Sequence, residues 1–348
     1  MPSPQGGSRH PLHGRLDALL AAALFGMSPP IAKLLLSGVD PFVLSGLLYL
    51  GGGLALYGYL GAETLFSGRA RTRAPLRGRD LPWLAGAALA GGVVAPVLLF
   101  YGLRTTSAAT ASLLLAFEIA ATTGIAAWPF REAVSRGTWR AVALMLVASA
   151  LLTFNPESGW SLSLGSLLVL TAAVLWGLDN NLTRRISSRD AGHVAAAKNF
   201  APACVTLAIA LLLGRPFPAG REVGITLLLG AASCGVGLVF YVRSLARLGA
   251  ARTGALFGTA PFFGVVLAFA LFPARPPATL LAAFALMGIA VWVISRERPR
   301  EPPAQGTEEE HPGSHEARAS ADVTGSGTRE ARRTAARGPS GRDSPAER

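Results

Sequence analysis

Apolar segments of about 20 residues alternate with short polar connections from about residue 17 to residue 295. A helix of about 20 apolar residues is long enough to cross the hydrocarbon core of a bilayer, and it satisfies its own backbone polar groups there. The pattern therefore predicts an all-α membrane protein with ten transmembrane helices. We call them segments 1 to 10, and they cover residues 17–36, 41–61, 82–103, 106–130, 138–154, 162–183, 193–213, 223–242, 250–272 and 278–295.

The arginines predict how these segments are oriented. If the N terminus is cytoplasmic, the connections on the cytoplasmic side carry sixteen arginines and those on the other side carry four. Basic residues concentrate on the cytoplasmic side of membrane proteins, so both termini are expected in the cytoplasm. Arginine outnumbers lysine thirty to two, which is typical of a GC-rich coding sequence. We therefore expect a multi-pass protein of a bacterial inner membrane.

Composition agrees with a membrane protein and argues against a nucleic-acid-binding one. Hydrophobic residues make up 51% of the chain and charged residues 15%, whereas a soluble protein has about 25% charged residues. The net charge is +12, but basic and acidic residues balance within residues 296–348, so the excess lies in the short connections. That distribution is a topology signal rather than a binding face, and no nucleic-acid partner is expected.

Two stretches about 150 residues apart resemble each other. Residues 25–33 and residues 176–184 each contain an aromatic–glycine pair, then consecutive polar or helix-breaking residues, and a cation at the end. Asp40 before segment 2 likewise matches Asp190 before segment 7. An internal repeat in a membrane protein is typical of a transporter built from two related halves. Because each half has five segments, the second half is expected to be inverted in the membrane.

These patterns divide the chain into four parts. Residues 1–16 are predicted to form a cytoplasmic N-terminal segment, residues 17–155 the first five-helix repeat and residues 156–295 the second. Residues 296–348 are rich in Pro, Glu, Arg, Ser and Gly and have almost no aliphatic residues. Such a composition cannot bury enough apolar surface to fold, so we expect a disordered cytoplasmic tail.

Segment 4 contains Thr-Thr-Ser-Ala-Ala-Thr-Ala-Ser-Leu-Leu-Leu at residues 105–115, followed by a Phe-Glu pair that ends at Glu118. This stretch is similar to the most recognisable motif of the EamA-type drug/metabolite transporter superfamily. Residues 179–184 and 248–254 resemble one bacterial branch of it. The resemblance covers about residues 15–295. It implies two inverted five-helix repeats and secondary transport, and it carries almost no information about the substrate.

The resemblance also bears on helix breaks. Ile119 stands where many relatives have a proline, whereas Pro261 occupies the matching position of the second half. A break is therefore expected in segment 9 and is not implied in segment 4. Pro29 and Pro30 should break segment 1, because a proline within a helix removes a backbone hydrogen bond. Such a break either lines a transport site or is a packing kink.

Ionisable side chains inside the predicted segments are functional candidates, because a charge is costly to insert into a bilayer. Glu118 lies near the middle of segment 4. It either lines a central cavity, where it binds a cation or takes up a proton, or it is a structural carboxyl. Asp179, Asn180 and Asn181 place three polar side chains around segment 6. They either line the substrate pathway or join neighbouring helices by hydrogen bonds.

Three cations complete the set of candidates. Lys33 and Arg184 occupy matching positions in the two repeats, near helix ends. Each of them contacts substrate, pairs with Asp179 or Glu118, or extends to the lipid headgroups. Lys198 lies about one helical turn inside segment 7 and is a further candidate for substrate contact.

The sequence thus favours a secondary transporter of a small metabolite or drug-like solute, working by alternating access and coupled to a gradient such as that of protons. No phosphate-binding motif GxxxxGK[ST] occurs, so no ATPase module is indicated. A membrane-embedded lipid-modifying enzyme and a non-transporting scaffold are the alternatives, but no catalytic cluster of histidines supports an enzyme. No cofactor or metal site is expected, because no Cys/His cluster occurs. The expected partners are the solute and the lipid bilayer, and a homodimer is left open.

Overall fold

The structure, a computed structural model, describes residues 11–67, 76–129, 131, 134–155, 161–186, 188–248 and 250–296. The predictions for residues 1–10 and for the tail beyond Arg296 lie outside these residues. Within the described residues every predicted segment is helical. A two-residue strand pair, Phe154–Asn155 with Ser161–Leu162, lies between segments 5 and 6.

The helices are of three kinds. Segments 2, 5, 6, 7 and 10 are each a single helix, Pro41–Ser67, Arg136–Thr153, Leu164–Arg184, Ala191–Leu212 and Ala278–Arg296. Segments 1, 4 and 9 are each broken into two helices, Pro11–Gly26 with Ser28–Leu35, Ala108–Leu114 with Phe117–Ala127, and Ala250–Phe257 with Ala260–Leu271. Segments 3 and 8 each contain a π-helical turn. In segment 3 the turn is Ala88–Val94, between the α-helices Leu81–Ala87 and Ala95–Thr105. In segment 8 it is Ala231–Val236, between the α-helices Gly220–Gly230 and Gly237–Leu248. A short 3-10 turn, Gly78–Asp80, precedes segment 3.

Two of the three breaks contain proline, and the third does not. Pro29 and Pro30 occupy the first turn of the second helix of segment 1, where a missing N–H is tolerated. Pro261 has the same position in the second helix of segment 9. The break in segment 4 was not implied by the sequence and occurs because the backbone tightens there. The N–H groups of Glu118 and Ile119 bond to carbonyls three residues earlier, which keeps the backbone satisfied without a proline.

Six helical stretches of the described chain are long and apolar enough to cross a membrane: Leu12–Leu35, Pro41–Phe66, Gly78–Thr105, Ala108–Ala127, Ala191–Leu212 and Gly220–Leu248. Two shorter apolar helices are Ala260–Leu271 and Ala278–Ile294. Segment 5 begins with charged residues, Arg136 and Arg140, and segment 6 contains the polar run at 179–181, so their mean hydropathy is lower. The chain is therefore a helical, multi-pass membrane protein.

Contacts between helices recur between corresponding segments of the two halves, which are five places apart along the chain. Segment 2 packs on segment 7, segment 4 on segment 9, and segment 5 on segment 10. Segment 3 packs on segment 6 as segment 8 packs on segment 1, and segment 4 packs on segment 6 as segment 9 packs on segment 1. Segment 2 also contacts segment 8 as segment 7 contacts segment 3. The main contacts between helices therefore follow the same scheme in the two halves.

Candidate functional site

Asp179 on segment 6 and Lys198 on segment 7 form an ion pair inside the bundle, with Lys198 Nζ 2.5 Å from Asp179 Oδ1. Thr183 lies between them. Lys198 Nζ donates to Thr183 Oγ1 at 2.7 Å, and the Thr183 hydroxyl donates to Asp179 Oδ1 at 3.0 Å. The two charged side chains are 10% and 18% exposed. Because charges buried to this degree need partners, the pair joins segments 6 and 7 into one unit.

Glu118 lies just after the break in segment 4 and contacts segment 6. Asn180 Nδ2 donates to Glu118 Oε1 at 2.7 Å and to Thr122 Oγ1 at 3.2 Å. Among the described residues, the ion pairs do not include Glu118. An amide, rather than a cation, therefore meets its carboxylate there. Glu118 is half-buried.

Asn181 joins two helices. Its side chain is buried, and Nδ2 donates to the carbonyl oxygens of Thr122 at 3.0 Å and Gly177 at 2.8 Å. Gly177 allows segment 4 to approach this closely, since a Cβ at Gly177 would lie 2.8 Å from the Thr122 backbone nitrogen. Asn180 and Asn181 thus both hydrogen-bond to segment 4. Asn180 contacts the candidate site, and Asn181 holds segments 4 and 6 together.

A backbone carbonyl freed from the helix lies beside the ion pair. In the π-helical part of segment 3 the Ala95 N–H bonds to the carbonyl of Ala90. The next residue, Pro96, has no N–H to donate. The carbonyl of Gly91 is therefore left without a helical partner and is available to other segments.

Two aromatic side chains use this free carbonyl. The Tyr49 hydroxyl donates to the Gly91 oxygen at 2.9 Å, and Trp176 Nε1 donates to the same oxygen at 2.8 Å. Tyr49 comes from segment 2 and Trp176 from segment 6. Segments 2 and 6 are thereby fixed to segment 3 at the level of the candidate site.

Gly91→Ala is expected to disturb this arrangement. A Cβ at Gly91 would overlap with the carboxylate of Asp179, so the ion pair would have to shift or break. Overpacking a well-packed interior costs about 1–3 kcal/mol, and we expect the apparent melting temperature of the purified protein to fall accordingly. Gly124→Ala is the matched control, because a Cβ there meets nothing within 4 Å. Equal melting temperatures for the two variants would contradict this prediction.

Lys33 and Arg184, the repeat-related cations, lie in different environments. Lys33 Nζ donates to the carbonyl oxygens of Leu103 at 2.5 Å and Thr106 at 2.7 Å, at the C-terminal end of segment 3. Carbonyls at a helix end lack helical partners and attract a cation, so Lys33 holds segment 3 to segment 1. Arg184 is the last residue of the segment 6 helix, and its side chain is exposed.

The breaks in segments 1, 4 and 9 meet in the interior. Gly26 lies next to the break in segment 1, and Ala260 lies next to the break in segment 9. The two residues are so close that a Cβ at Gly26 would overlap with the carbonyl oxygen of Ala260. A Cβ at Gly264 would lie 2.7 Å from Oγ of Ser112, which lies about one turn before the break in segment 4. We call this meeting point the junction. The prolines that begin helices at the junction are Pro29, Pro30 and Pro261.

Sequence reasoning did not identify Thr122 and Thr183, although their spacing is visible. Each lies four residues after a carboxylate of the site, Glu118 or Asp179, and residues four apart share one helix face. The contact of Tyr49 with Gly91 has no such sequence signal. Metal binding gains no support, since the described residues contain no group of three or more His, Cys, Asp or Glu side chains that could hold an ion.

Comparison with known proteins gives three findings. The sequence profile of the EamA-like transporter family matches the chain twice, at residues 13–154 and 163–296. An "Uncharacterized transporter" of Methanothermobacter thermautotrophicus is 27% identical over 282 residues, which are 76% of this chain and 81% of the relative. One crystal structure of a protein that is 20% identical has a TM-score of 0.58 and covers 80% of this chain and 94% of its own. At that identity the structural likeness shows the fold alone.

Proposed function

Because the chain belongs to the EamA-like transporter family, we propose that it is a secondary transporter that moves a small metabolite or drug-like solute by alternating access. Glu118 carries this proposal. It is a half-buried carboxylate bonded to Asn180, it has no ion pair among the described residues, and it lies where three broken helices meet. Broken helices and intramembrane ionisable groups are typical of transport sites.

In this proposal all ten segments cross a bacterial inner membrane, and residues 17–155 and 156–295 form two inverted repeats. The recurring contacts between corresponding segments support two equivalent halves. Successive segments run in opposite directions and each half has five, so equivalent segments enter the membrane from opposite sides. The arginine-rich connections favour a cytoplasmic location for both termini.

Proton coupling follows from the charges at the site. When the halves close over the site, water leaves it, and a carboxylate that stays charged without a partner becomes costly. Asp179 keeps Lys198 as its counter-ion, so that pair stays neutral overall. Glu118 must instead take up a proton or a positively charged group before closure. That requirement couples the movement of the halves to what occupies Glu118.

Ion pairs between the two halves would break and form again as the halves move during the transport cycle. The pairs are Asp17 with Arg247, Asp80 with Arg189, and Asp40 with Arg215. The first two lie on the side proposed to be cytoplasmic, with N···O distances of 2.6 and 2.7 Å. The third lies on the opposite side at 3.8 Å. Opening the cytoplasmic side would require the two shorter pairs to break.

Reconstituted protein provides the test of this function. Purified protein in liposomes should show pH-gradient-driven flux of at least one solute in a metabolite panel. Glu118→Gln keeps an oxygen for Asn180 but removes the charge, and it should reduce this flux by about tenfold or more. Asp179→Asn should reduce it similarly, because the ammonium of Lys198 would then offset the charge of Glu118.

The matched control is Glu63→Gln, the same carboxyl-to-amide change at an exposed position near the end of segment 2. It should leave the flux unchanged. Unchanged flux in both Glu118→Gln and Asp179→Asn would overturn the coupling proposal. Absence of flux for every solute under every imposed gradient would overturn transport itself.

A further inference from the structure

Three aromatic rings from different segments lie in one cluster. The ring of Phe257 packs edge to face against Phe25, with centroids 5.3 Å apart, and against Tyr241, with centroids 4.8 Å apart. The rings come from segments 9, 1 and 8. All three side chains are only half-buried, so part of each ring surface is not covered by the protein. We call these residues the aromatic cluster.

The aromatic cluster and Glu118 lie at the same junction of broken helices. Phe25 and Phe257 lie within two residues of the breaks in segments 1 and 9, and Glu118 lies within two residues of the break in segment 4. These breaks are packed against one another through Gly26 and Gly264. The rings and the carboxylate therefore border the same region.

Of the two carboxylates in this region, one has no cation beside it among the described residues. Asp179 is balanced by Lys198, which lies 2.5 Å away. Glu118 is bonded to the uncharged amide of Asn180 and has no ion pair among the described residues. Lys33 is held by backbone carbonyls at the end of segment 3. One carboxylate thus remains for a ligand to balance.

The combination of a carboxylate with aromatic rings selects a kind of ligand. The face of an aromatic ring attracts a cation, and the attraction grows when water is excluded. A metal ion would need several oxygen or nitrogen ligands, and the part of the chain that is described holds no such cluster. A neutral ligand would leave the charge of Glu118 unbalanced. An anion would be repelled by Glu118.

We propose that the solute bound at this junction is an organic cation with a single positive charge and apolar substituents, namely a protonated or quaternary amine. Its nitrogen lies between the carboxylate of Glu118 and the rings of Phe25, Tyr241 and Phe257. The proposal rests on the transport function proposed above and names the substrate class of the same site.

Binding of a simple quaternary amine tests the substrate class. Radiolabelled benzyltrimethylammonium should bind the full-length protein in nanodiscs of zwitterionic lipid. Neopentylbenzene, in which carbon replaces the charged nitrogen, should not displace it at equal concentration. Glu118→Gln should weaken binding by about tenfold or more. Phe257→Leu, which keeps an apolar side chain without the ring, should weaken it by about 2- to 30-fold.

Phe66→Leu is the matched control, because the Phe66 side chain is 88% exposed near the end of segment 2, and it should bind the probe as the wild type does. Melting temperatures of all variants show whether each is folded. Equal displacement by the neutral hydrocarbon would overturn the proposal, as would unchanged affinity in both Glu118→Gln and Phe257→Leu.

The outcomes for the substrate class and for transport can be told apart. If a pH gradient drives flux of another solute while probe binding is independent of Glu118, the substrate class is wrong and the transport function stands. If probe binding depends on Glu118 and Phe257 but no gradient drives flux, the cation site stands and the transport function fails.

Discussion

Replacement of Arg189 by glutamine is expected to lower the free energy of unfolding by about 3–5 kcal/mol. Arg189 Nε lies 2.7 Å from Asp80 Oδ2, and Arg189 Nη2 donates to Asp80 Oδ1 at 3.1 Å. The two side chains are 7% and 10% exposed, so the variant would leave the carboxylate of Asp80 without its closest cation, with the Arg77 N–H still donating to it. The apparent melting temperature of the purified protein should fall by about 5–8 °C.

Two further variants show whether this loss comes from the buried ion pair. The double variant Asp80→Asn with Arg189→Gln removes both charges and should recover most of the lost stability. Arg215→Gln is the matched control, because its pair with Asp40 is longer, at 3.8 Å, and Arg215 is 39% exposed. A pair this long contributes about 1 kcal/mol or less when its arginine is solvated, even though Asp40 is 8% exposed. A melting temperature for Arg189→Gln as high as that of Arg215→Gln would contradict the prediction.

Helix positions could be predicted from the sequence because the bilayer fixes the length of an apolar helix. Segment 3 was predicted at residues 82–103 and is helical from Leu81 to Thr105. The break in segment 4 could not be predicted, because it depends on tightened backbone hydrogen bonds and not on a proline. The π-helical turns in segments 3 and 8 were also missed. The glycines in these segments do not indicate a change in backbone hydrogen bonding.

The sequence indicated which ionisable residues are candidates but not what they contact, and their role in transport stays a prediction. Glu118, Asp179 and Lys198 stand out because ionisable residues are rare in apolar helices. The residue type gives the charge of a side chain, but its partner depends on how helices pack. Lys33 therefore looked equivalent to Arg184, yet it binds carbonyls at the end of segment 3. The aromatic cluster gave no signal, because phenylalanine and tyrosine are common in membrane helices.

Lys198→Met is expected to destabilise the protein and to stop gradient-driven flux. Without the ammonium, Asp179 is left in a buried position with Thr183 as its remaining hydrogen-bond donor. Gly91 packs directly against the carboxylate, which limits the space for water. Breaking a buried pair in this way costs about 3–5 kcal/mol. Melting temperature and flux in liposomes should both fall relative to the wild type.

The double variant Asp179→Asn with Lys198→Met separates stability from coupling. It removes both charges, keeps an oxygen that can accept from Thr183, and leaves Glu118 as the one carboxylate at the junction. If the ion pair serves as a neutral unit and Glu118 carries the proton, the double variant should regain both stability and flux, although each single variant loses flux. If the melting temperature recovers while flux stays lost, the assignment is wrong, and the proton is carried by Asp179. The pair of measurements therefore decides which carboxylate couples the gradient to transport.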